Sequence, residues 1–259
     1  MNKFTLIAGP CAIEDMETSL LLANHVNKIC KSLDINFIFK GSYRKANRSR
    51  LDSFTGIGDT KALNILKEIG EKIGVQTITD IHESYEVENV SKYVQHLQIP
   101  AFLCRQTSLL IAAGNSGLGV NIKKGQFMSP ESMQFALEKV KSTGNNNAWL
   151  CERGNSFGYN DLIVDATSIF KMKQLGAPVI MDCTHSVQKP NQTSGVTGGD
   201  PSLIEAIALS AISTGADGFF IETHPNPADA KSDPHTMLNL DNLEPILKKA
   251  MKIRTALNS

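Results

Sequence analysis

Basic side chains are concentrated in one short segment of the sequence. Residues 39–50, FKGSYRKANRSR, contain no acidic residue and five cations: Lys40, Arg44, Lys45, Arg48 and Arg50. Further basic residues directly follow apolar runs at Lys123, Lys124 and Arg153. The whole chain has 26 basic and 26 acidic residues, so these cations form a local excess in a chain of zero net charge. Such a cluster suits phosphate and carboxylate groups, and a solvated loop is the alternative interpretation.

A second set of residues has the chemistry of metal ligands. Cys11 follows the turn residues Gly9-Pro10, His185 and Glu222 lie at the ends of apolar runs, and Asp233 lies in the polar loop PNPADAKSDPH. A thiolate, an imidazole and two carboxylates together suit a borderline divalent ion. From spacing alone a lone cysteine is more often a small buried residue, so both readings stay open.

The elements that must position these residues alternate regularly. Short runs typical of buried strands occupy residues 4–8, 37–40, 76–79, 96–99, 119–122, 148–151, 178–182 and 218–222. Segments of helical period follow them at 16–33, 61–73, 84–92, 106–115, 130–142, 164–175, 202–214 and 243–257. This order predicts one α/β domain over residues 1–259, a (β/α)8 TIM barrel, with a doubly wound open sheet as the alternative.

A barrel would bring the polar residues together. Chemistry in this fold gathers where the strands end, and the predicted strands one, seven and eight become neighbours when the barrel closes. Asp80 and Gln106 also follow predicted strands and join the candidates on that face.

Composition excludes several other classes of protein. With 41% hydrophobic residues the chain is too apolar for disorder, and its zero net charge disfavours nucleic-acid or acidic-membrane binding. No apolar run approaches the length of a membrane span, and the first residues, MNKFTLIAGP, do not form a signal peptide, so we expect a cytoplasmic protein. The five cysteines lack CxxC spacing, which disfavours a disulfide framework.

Several motifs carry a family resemblance. The strings IAGPCAIE, FKGSYRKANRS, TDIHE, LQIPAFLCRQT, NIKKGQF, ERGNSFGYNDLIVD, DCTHSVQ and FIETHPNPADAKSD span residues 7–233. Together they resemble the 3-deoxy-D-manno-octulosonate 8-phosphate synthases. KANRS, at residues 45–49, is the most discriminating, because related synthases that use phosphoenolpyruvate share the GPC opening and the lysines at strand ends but not this string.

The resemblance implies an activity. Such an enzyme condenses phosphoenolpyruvate with D-arabinose 5-phosphate and water, releases phosphate, and supplies the Kdo sugar of lipopolysaccharide. It also implies a homo-oligomer, a tetramer, that binds neither nucleic acid nor membrane.

The resemblance also assigns roles to residues. Phosphoenolpyruvate would be bound by Lys40, Lys45, Lys124 and Arg153. Lys123 is a further substrate-binding candidate, the less favoured of its pair, and the sequence does not decide which of Lys123 and Lys124 faces the substrate. The sugar phosphate would contact Asn47, Arg48 and Ser49, which could reach a neighbouring subunit's site, and Ser42, Asp80 and Gln106 would be further binding residues. The catalytic set would be Lys40, Lys45, Asn47, His185, Cys11 and Asp233.

The resemblance divides the family by metal use. Members with Cys at position 11 depend on a metal and members with Asn do not; this chain has Cys11, and His185, Glu222 and Asp233 stand at the other ligand positions. One divalent transition metal per subunit, Mn, Fe(II), Co or Zn, is therefore expected. Two features depart from the family: Tyr43-Arg44 replaces Phe-Asp, and the 191–200 loop contains SGVTGG.

Alternative functions remain open at this stage. The nearest is a 3-deoxy-heptulosonate 7-phosphate synthase that uses erythrose 4-phosphate, and a Schiff-base aldolase using Lys40 or Lys124 is more distant. A barrel that only binds phosphosugars or RNA would need no catalytic groups.

Overall fold

A computed structural model describes residues 3–193 and 195–258, and within them the main sheet is a closed parallel barrel. Its strands are β1 (Thr5–Gly9), β2 (Asn36–Lys40), β3 (Gln76–Asp80), β4 (His96–Ile99), β5 (Gly119–Lys123), β6 (Ala148–Glu152), β7 (Val179–Asp182) and β8 (Gly218–His224). Pairing of β8 with β1, from Thr5 opposite Gly218 to Gly9 opposite Glu222, closes the ring. This closure confirms the predicted barrel and excludes the open sheet.

One helix follows each strand of the barrel. The helices are α1 (Met16–Ser32), α2 (Asp59–Ile73), α3 (Glu86–Val90), α4 (Thr107–Asn115), α5 (Met133–Lys141), α6 (Ser168–Lys173), α7 (Ile204–Ser213) and α8 (Leu243–Leu257). In α2 the buried stripe Ala62, Leu66 and Ile69 faces the strands. The helix ends at Gly74, whose left-handed backbone (φ 69°) lets its N–H bond to the carbonyl of Gly70. No helix in the described residues is long and apolar enough to cross a membrane.

The strands separate two apolar layers by their two-residue repeat. Inside the barrel the buried apolar side chains are Ile7, Ile38, Ile78, Trp149, Cys151, Ile180 and Phe220. The residues next to them along the strands, such as Leu6, Phe39 and Ile221, belong to the larger core between the barrel and the helices. Because alternate residues face opposite sides, this register also decides which residues at the strand ends face inward.

The predicted strands agree with the structure to within one residue, except that β8 continues two residues further, to His224. The largest differences at helix starts are in α5 and α6, which begin at Met133 and Ser168 instead of at residues 130 and 164. Before α5 the Ser129 hydroxyl accepts a hydrogen bond from the Ser132 N–H, and before α6 the Asp165 carboxylate accepts one from the Thr167 N–H. These local side-chain bonds form turns in place of the first helical turn.

The loop after β6 contains a hairpin that the sequence analysis did not predict. It pairs Asn155–Phe157 with Asp161–Ile163 in antiparallel fashion. Two other short elements extend the same end of the barrel: Gln188–Lys189 pairs with Gly198–Gly199, and Leu238–Asn239 pairs with the end of β8. Residue 194 of the 191–200 loop lies outside the described residues. The long connections thus lie at the carboxyl ends of the strands, where a barrel places its binding site.

Gly9 allows a test of how tightly β1 and β2 approach each other. A Cβ at this position would lie 2.0 Å from the Lys40 carbonyl oxygen, which is backbone and cannot move aside. We expect Gly9→Ala to lower the thermal midpoint by about 4 to 8 °C, measured by circular dichroism. At Gly198 an added Cβ would meet nothing closer than 3.6 Å, so Gly198→Ala is the control. Equal midpoints for the two variants would contradict the close approach.

Candidate active site

A cavity of about 470 Å³ opens at the carboxyl ends of the strands. Five strands, and the residue directly after β6, each supply one inward polar side chain to its wall: Lys40, Asp80, Gln98, Lys123, Arg153 and Glu222. Each of them lies two positions after an inward residue of its strand. That residue belongs to the apolar layer inside the barrel in four cases and is His96 or Asn121 in the other two. The alternation of the strands therefore builds a polar ring above an apolar floor.

Lys40 and Glu222 form a buried ion pair on one side of the ring. The Lys40 Nζ donates to Glu222 Oε1 at 2.6 Å and to the Cys11 carbonyl at 2.8 Å. Burial raises the pKa of the Glu222 carboxyl, but His185 and Lys40 outweigh burial, and the pKa lies well below its usual range. Glu222 is therefore a carboxylate, and its Oε2 has no hydrogen-bond partner in the described residues.

Asp182 holds Lys123 and His185 in a second group of the ring, next to the first. Lys123 Nζ donates to Asp182 Oδ2 at 2.5 Å, and His185 Nδ1 lies 2.7 Å from the same oxygen. Lys123 Nζ also lies 3.7 Å from the centre of the Phe220 ring, which adds a cation–π contact. Burial raises the pKa of Asp182, but His185 and Lys123 lower it well below its usual range. This carboxylate orients both Lys123 and His185 toward the cavity.

Arg153 supplies a hydrogen-bond donor that is still available. Its Nη2 donates to Gln188 Oε1 at 2.6 Å, while its Nη1 is buried with no partner among the residues described. Burial lowers the pKa of the guanidinium, which stays charged at neutral pH. A buried, unpaired charged donor in a cavity wall is costly unless an anion binds it.

The loop after β2 brings the KANRS residues to the same cavity. Lys45, Asn47, Arg48 and Ser49 all line it, together with Ser42. Burial lowers the pKa of Lys45, but facing acidic groups led by Cys11 and Glu222 outweigh burial and raise it, so Lys45 is an ammonium. Arg48 lies over the loop after β8, where its Nη1 is 3.5 Å from Asp233 Oδ1 and its Nη2 donates to the Ser232 hydroxyl.

Cys11, Glu222 and Asp233 converge beside this loop. Their donor atoms lie within 4.8 Å of one another, a grouping that could hold a metal ion. Cys11 Sγ is 3.2 Å from Asp233 Oδ2, and His185 Nε2 is 3.5 Å from Glu222 Oε2. Burial, with the charges of Asp233 and Glu222, raises the pKa of the Cys11 thiol, so it stays protonated unless a cation approaches.

The structure does not bring every predicted residue to the cavity. Lys124 is fully buried on the outer side of β5, where its Nζ lies 3.2 Å from Glu152 Oε1 and donates to Asn155. Lys123 lines the cavity and Lys124 does not, because Lys123 shares the inward side of β5 with Asn121. Which of the two lysines binds substrate stays a prediction. Gln106 is an exposed residue at the start of α4, outside the cavity.

Gln98 is a residue of the cavity wall that sequence reasoning missed. Gln98 lines the cavity, is 5% exposed, and its Oε1 lies 3.4 Å from the Asn121 Nδ2. His82 also lines the cavity and binds Asp80. The sequence contained a signal for Gln98. It is a polar residue near the end of a predicted strand, on the same face as His96 two positions earlier, just as Lys123 is on the same face as Asn121.

The full length of the chain, residues 1–259, matches the DAHP synthetase I family. The chain belongs to this family. Several proteins similar to this chain carry the name 2-dehydro-3-deoxyphosphooctonate aldolase. The protein of Fusobacterium nucleatum is 47% identical over 97% of this chain and 91% of its own length. Those of a Cyanothece species and Koribacter versatilis are 47% and 45% identical, over 99% and 98% of this chain and 94% and 92% of theirs.

Substitutions of the two adjacent lysines, Lys123 and Lys124, should affect different properties: ligand binding in one case and stability of the fold in the other. We expect Lys123→Met to weaken binding of inorganic phosphate about 10- to 100-fold, because one charged contact is lost, with calorimetric titration as the measurement. Lys124→Met should leave binding unchanged but destabilise the fold by about 2 kcal/mol or more, because Glu152 loses its buried partner. The reverse assignment of the two defects would show that Lys124 faces the ligand.

Proposed function

We propose that this chain is a 2-dehydro-3-deoxyphosphooctonate aldolase, the enzyme that the sequence motifs indicate under the name 3-deoxy-D-manno-octulosonate 8-phosphate synthase. Both names describe the same eight-carbon 2-keto-3-deoxy acid phosphate. The observation that carries the proposal is the KANRS segment in the wall of a cationic cavity, in a chain 45–47% identical to relatives of that name. The heptulosonate 7-phosphate synthase is not favoured, because those relatives do not carry its name.

Phosphoenolpyruvate fits the deep part of the cavity. Lys123 and Arg153 lie on neighbouring strand ends and present a compact ammonium and a guanidinium fork toward one space. Arg153 Nη1 has no hydrogen-bond partner within residues 3–193 and 195–258, and a phosphate or carboxylate oxygen would supply one. We assign these two groups to phosphoenolpyruvate, with Lys40 and Lys45 completing the cationic frame.

The aldose phosphate fits the outer part, nearer solvent. Asn47 and Ser49 are exposed at the rim and offer hydrogen-bonding groups, while Arg48 offers a guanidinium. We assign Asn47, Arg48 and Ser49 to D-arabinose 5-phosphate, whose phosphate would lie at the rim and whose aldehyde would point inward. Cations at both ends offset the repulsion between two phosphorylated anions and hold their reacting carbons close.

The reaction then follows from this alignment. Carbon 3 of the enol attacks the aldehyde carbon and forms the new C–C bond, and the aldehyde oxygen takes a proton to become a hydroxyl. Water adds to carbon 2, loses a proton, and inorganic phosphate leaves by C–O cleavage. Lys123 and Arg153 stabilise the charge that develops on the departing phosphate, because they are fixed in a wall that excludes most water.

A divalent transition metal fits the group formed by Cys11, His185, Glu222 and Asp233. Glu222 Oε2 is a buried carboxylate oxygen that lacks a hydrogen-bond donor in the described chain, and Cys11 is a thiol that only a cation would ionise there. Asp182 holds His185 by Nδ1, the usual support for a histidine that binds metal through its other nitrogen. When bound, Mn, Fe(II), Co or Zn would supply Lewis acidity toward the aldehyde or the water.

We extend the proposal to the cellular context that the resemblance implies. The enzyme would act in the cytoplasm in Kdo and lipopolysaccharide biosynthesis, as a single-domain subunit of a homotetramer. Exposed aromatic side chains near the mouth support an oligomer, since Phe102 is 45% and Phe157 65% exposed.

The substrates are tested by one assay. We expect purified protein to release phosphate from phosphoenolpyruvate only when an aldose phosphate is present, with D-arabinose 5-phosphate preferred over erythrose 4-phosphate. The measurement is phosphate release together with mass analysis of the product. Preference for the four-carbon sugar would assign the chain to heptulosonate 7-phosphate synthesis, and binding without turnover would make it a phosphosugar-binding barrel.

The metal site is tested by comparing two buried cysteines. Cys11→Ala should lose bound metal, measured by elemental analysis, and turnover together, because the thiolate is one of four ligands. Cys30, which is buried on α1 away from the site, provides the control Cys30→Ala with normal metal content. Undiminished turnover by wild-type protein shown to be free of metal would refute the metal requirement.

A further inference from the structure

A chain of alternating charges runs from the cavity wall to the protein surface. Asp80 Oδ2 lies 3.1 Å from His82 Nε2, and the His82 Nδ1 lies 3.5 Å from Glu86 Oε2. Glu86 Oε1 accepts a hydrogen bond from Arg44 Nη2, and Arg44 Nη1 lies 3.2 Å from Asp59 Oδ2. The first three residues are buried, whereas the Arg44 side chain is one-third exposed. Only Asp80 and His82 of these five line the cavity.

The contacts hold the loop after β3 as well as the side chains. The backbone N–H of His82 donates to Glu86 Oε2 at 2.8 Å, so the carboxylate that faces the imidazole also fixes its backbone. Glu86 in turn is held by Arg44, which lies on the loop after β2 next to the substrate-facing Lys45. The chain thus ties the loops after β2 and β3 together across their buried side.

The charges also determine the protonation of His82. Burial lowers the pKa of His82, but the hydrogen bond to Asp80 and the nearby Glu86 carboxylate outweigh burial and raise it to about 9. The same contacts lower the pKa of Asp80 well below its usual range, against burial, and that of Glu86 to about 2. At neutral pH His82 is therefore an imidazolium between two carboxylates.

This arrangement leaves one oxygen of Asp80 unused. Oδ2 is occupied by His82, whereas Oδ1 is buried and has no hydrogen-bond partner in the part of the chain that the structure describes. An ionised carboxylate oxygen at the wall of a polar cavity is a strong acceptor for a hydroxyl group. Phosphoenolpyruvate in its trianionic form has no hydroxyl group to donate, but D-arabinose 5-phosphate has several.

We propose that Glu86 and Arg44 are positioning residues that act through His82 to fix the Asp80 carboxylate, so that its Oδ1 accepts a hydrogen bond from a hydroxyl group of the aldose phosphate. This inference rests on the proposed function and adds residues outside the cavity to it. It also gives a role to Arg44, which stands where many related synthases have Asp: Arg44 does not line the cavity but pairs with Glu86.

Glu86→Gln tests the chain of charges. Glu88→Gln, at an exposed position of the same helix, is the matched control. In Glu86→Gln we expect the His82 pKa, measured by NMR titration and assigned with His82→Asn, to fall by about one unit or more, because an opposite charge is removed. The KM for D-arabinose 5-phosphate should rise about tenfold while the KM for phosphoenolpyruvate stays unchanged. Glu88→Gln should match wild type in all three quantities.

The pH dependence of the KM for the sugar is a further measurement, and it would not change if Glu86 only stabilised the fold. The imidazolium is present below about pH 9 and is lost as pH rises through that value, so the KM for the sugar should rise on this limb in wild type. In Glu86→Gln the limb should move to lower pH. The other ionisable groups facing these residues are Lys40 and Lys45 near Asp80, and Tyr43 and Asp59 near Glu86 and Arg44.

Arg44→Gln keeps the test valid if Glu86→Gln does not fold, because Arg44 is partly exposed. We expect a smaller rise in the KM for the sugar, largely restored in Arg44→Lys, with an unchanged thermal midpoint. Normal wild-type turnover combined with wild-type KM values in both Glu86→Gln and Arg44→Gln would overturn the inference, as would a fall in kcat alone. A wild type without turnover would overturn the proposed function, and the His82 pKa would then show whether the chain of charges exists.

Discussion

The structure depends on one electrostatic constraint: charged side chains are buried in a ring, and each needs an opposite charge beside it. Removing a lysine or a carboxylate from water costs several kcal/mol, and only a close partner offsets that cost. Lys40 lies against Glu222 and Lys123 against Asp182, both pairs formed between strands that are distant in sequence. Because closure of the barrel creates these pairs, the fold and the site cannot be separated.

The pairing also leaves a defined set of unused groups, and these are what the site offers to ligands. Among the residues described, Arg153 Nη1 is a buried donor without a hydrogen-bond partner, and Asp80 Oδ1 and Glu222 Oε2 are buried acceptors without one. Donors of this kind suit phosphate and carboxylate, and acceptors suit hydroxyl groups or a metal ion. A site that offers both a donor and acceptors matches a reaction between an anionic enol and a polyhydroxy aldehyde better than a site for anions alone.

Positioning of the site extends beyond the residues that face the cavity. Asp182 orients Lys123 and His185, and Glu86 holds His82, while Gln188, itself in the cavity wall, holds Arg153. Each supporting group is a carboxylate or amide that accepts from a group of the cavity wall, which limits its rotation before substrate binds. Such preorganisation lowers the entropy that binding must remove.

Much of this protein could be determined from the sequence alone. The strand ends, the barrel and the gathering of Lys45, Arg48 and Arg153 at one end of it follow from local apolar runs and from motifs, which are properties of neighbouring residues. Helix starts at α5 and α6 were missed because local side-chain turns compete with helical period. Only the tertiary structure decided that the cavity is lined by Lys123 and not Lys124, and by Gln98 and not Gln106. It also decided that Arg44 pairs with Glu86. The physical reason is that the side of the barrel toward which a strand side chain points depends on the strand register in the closed barrel. Contacts between loops likewise depend on elements that only folding brings together.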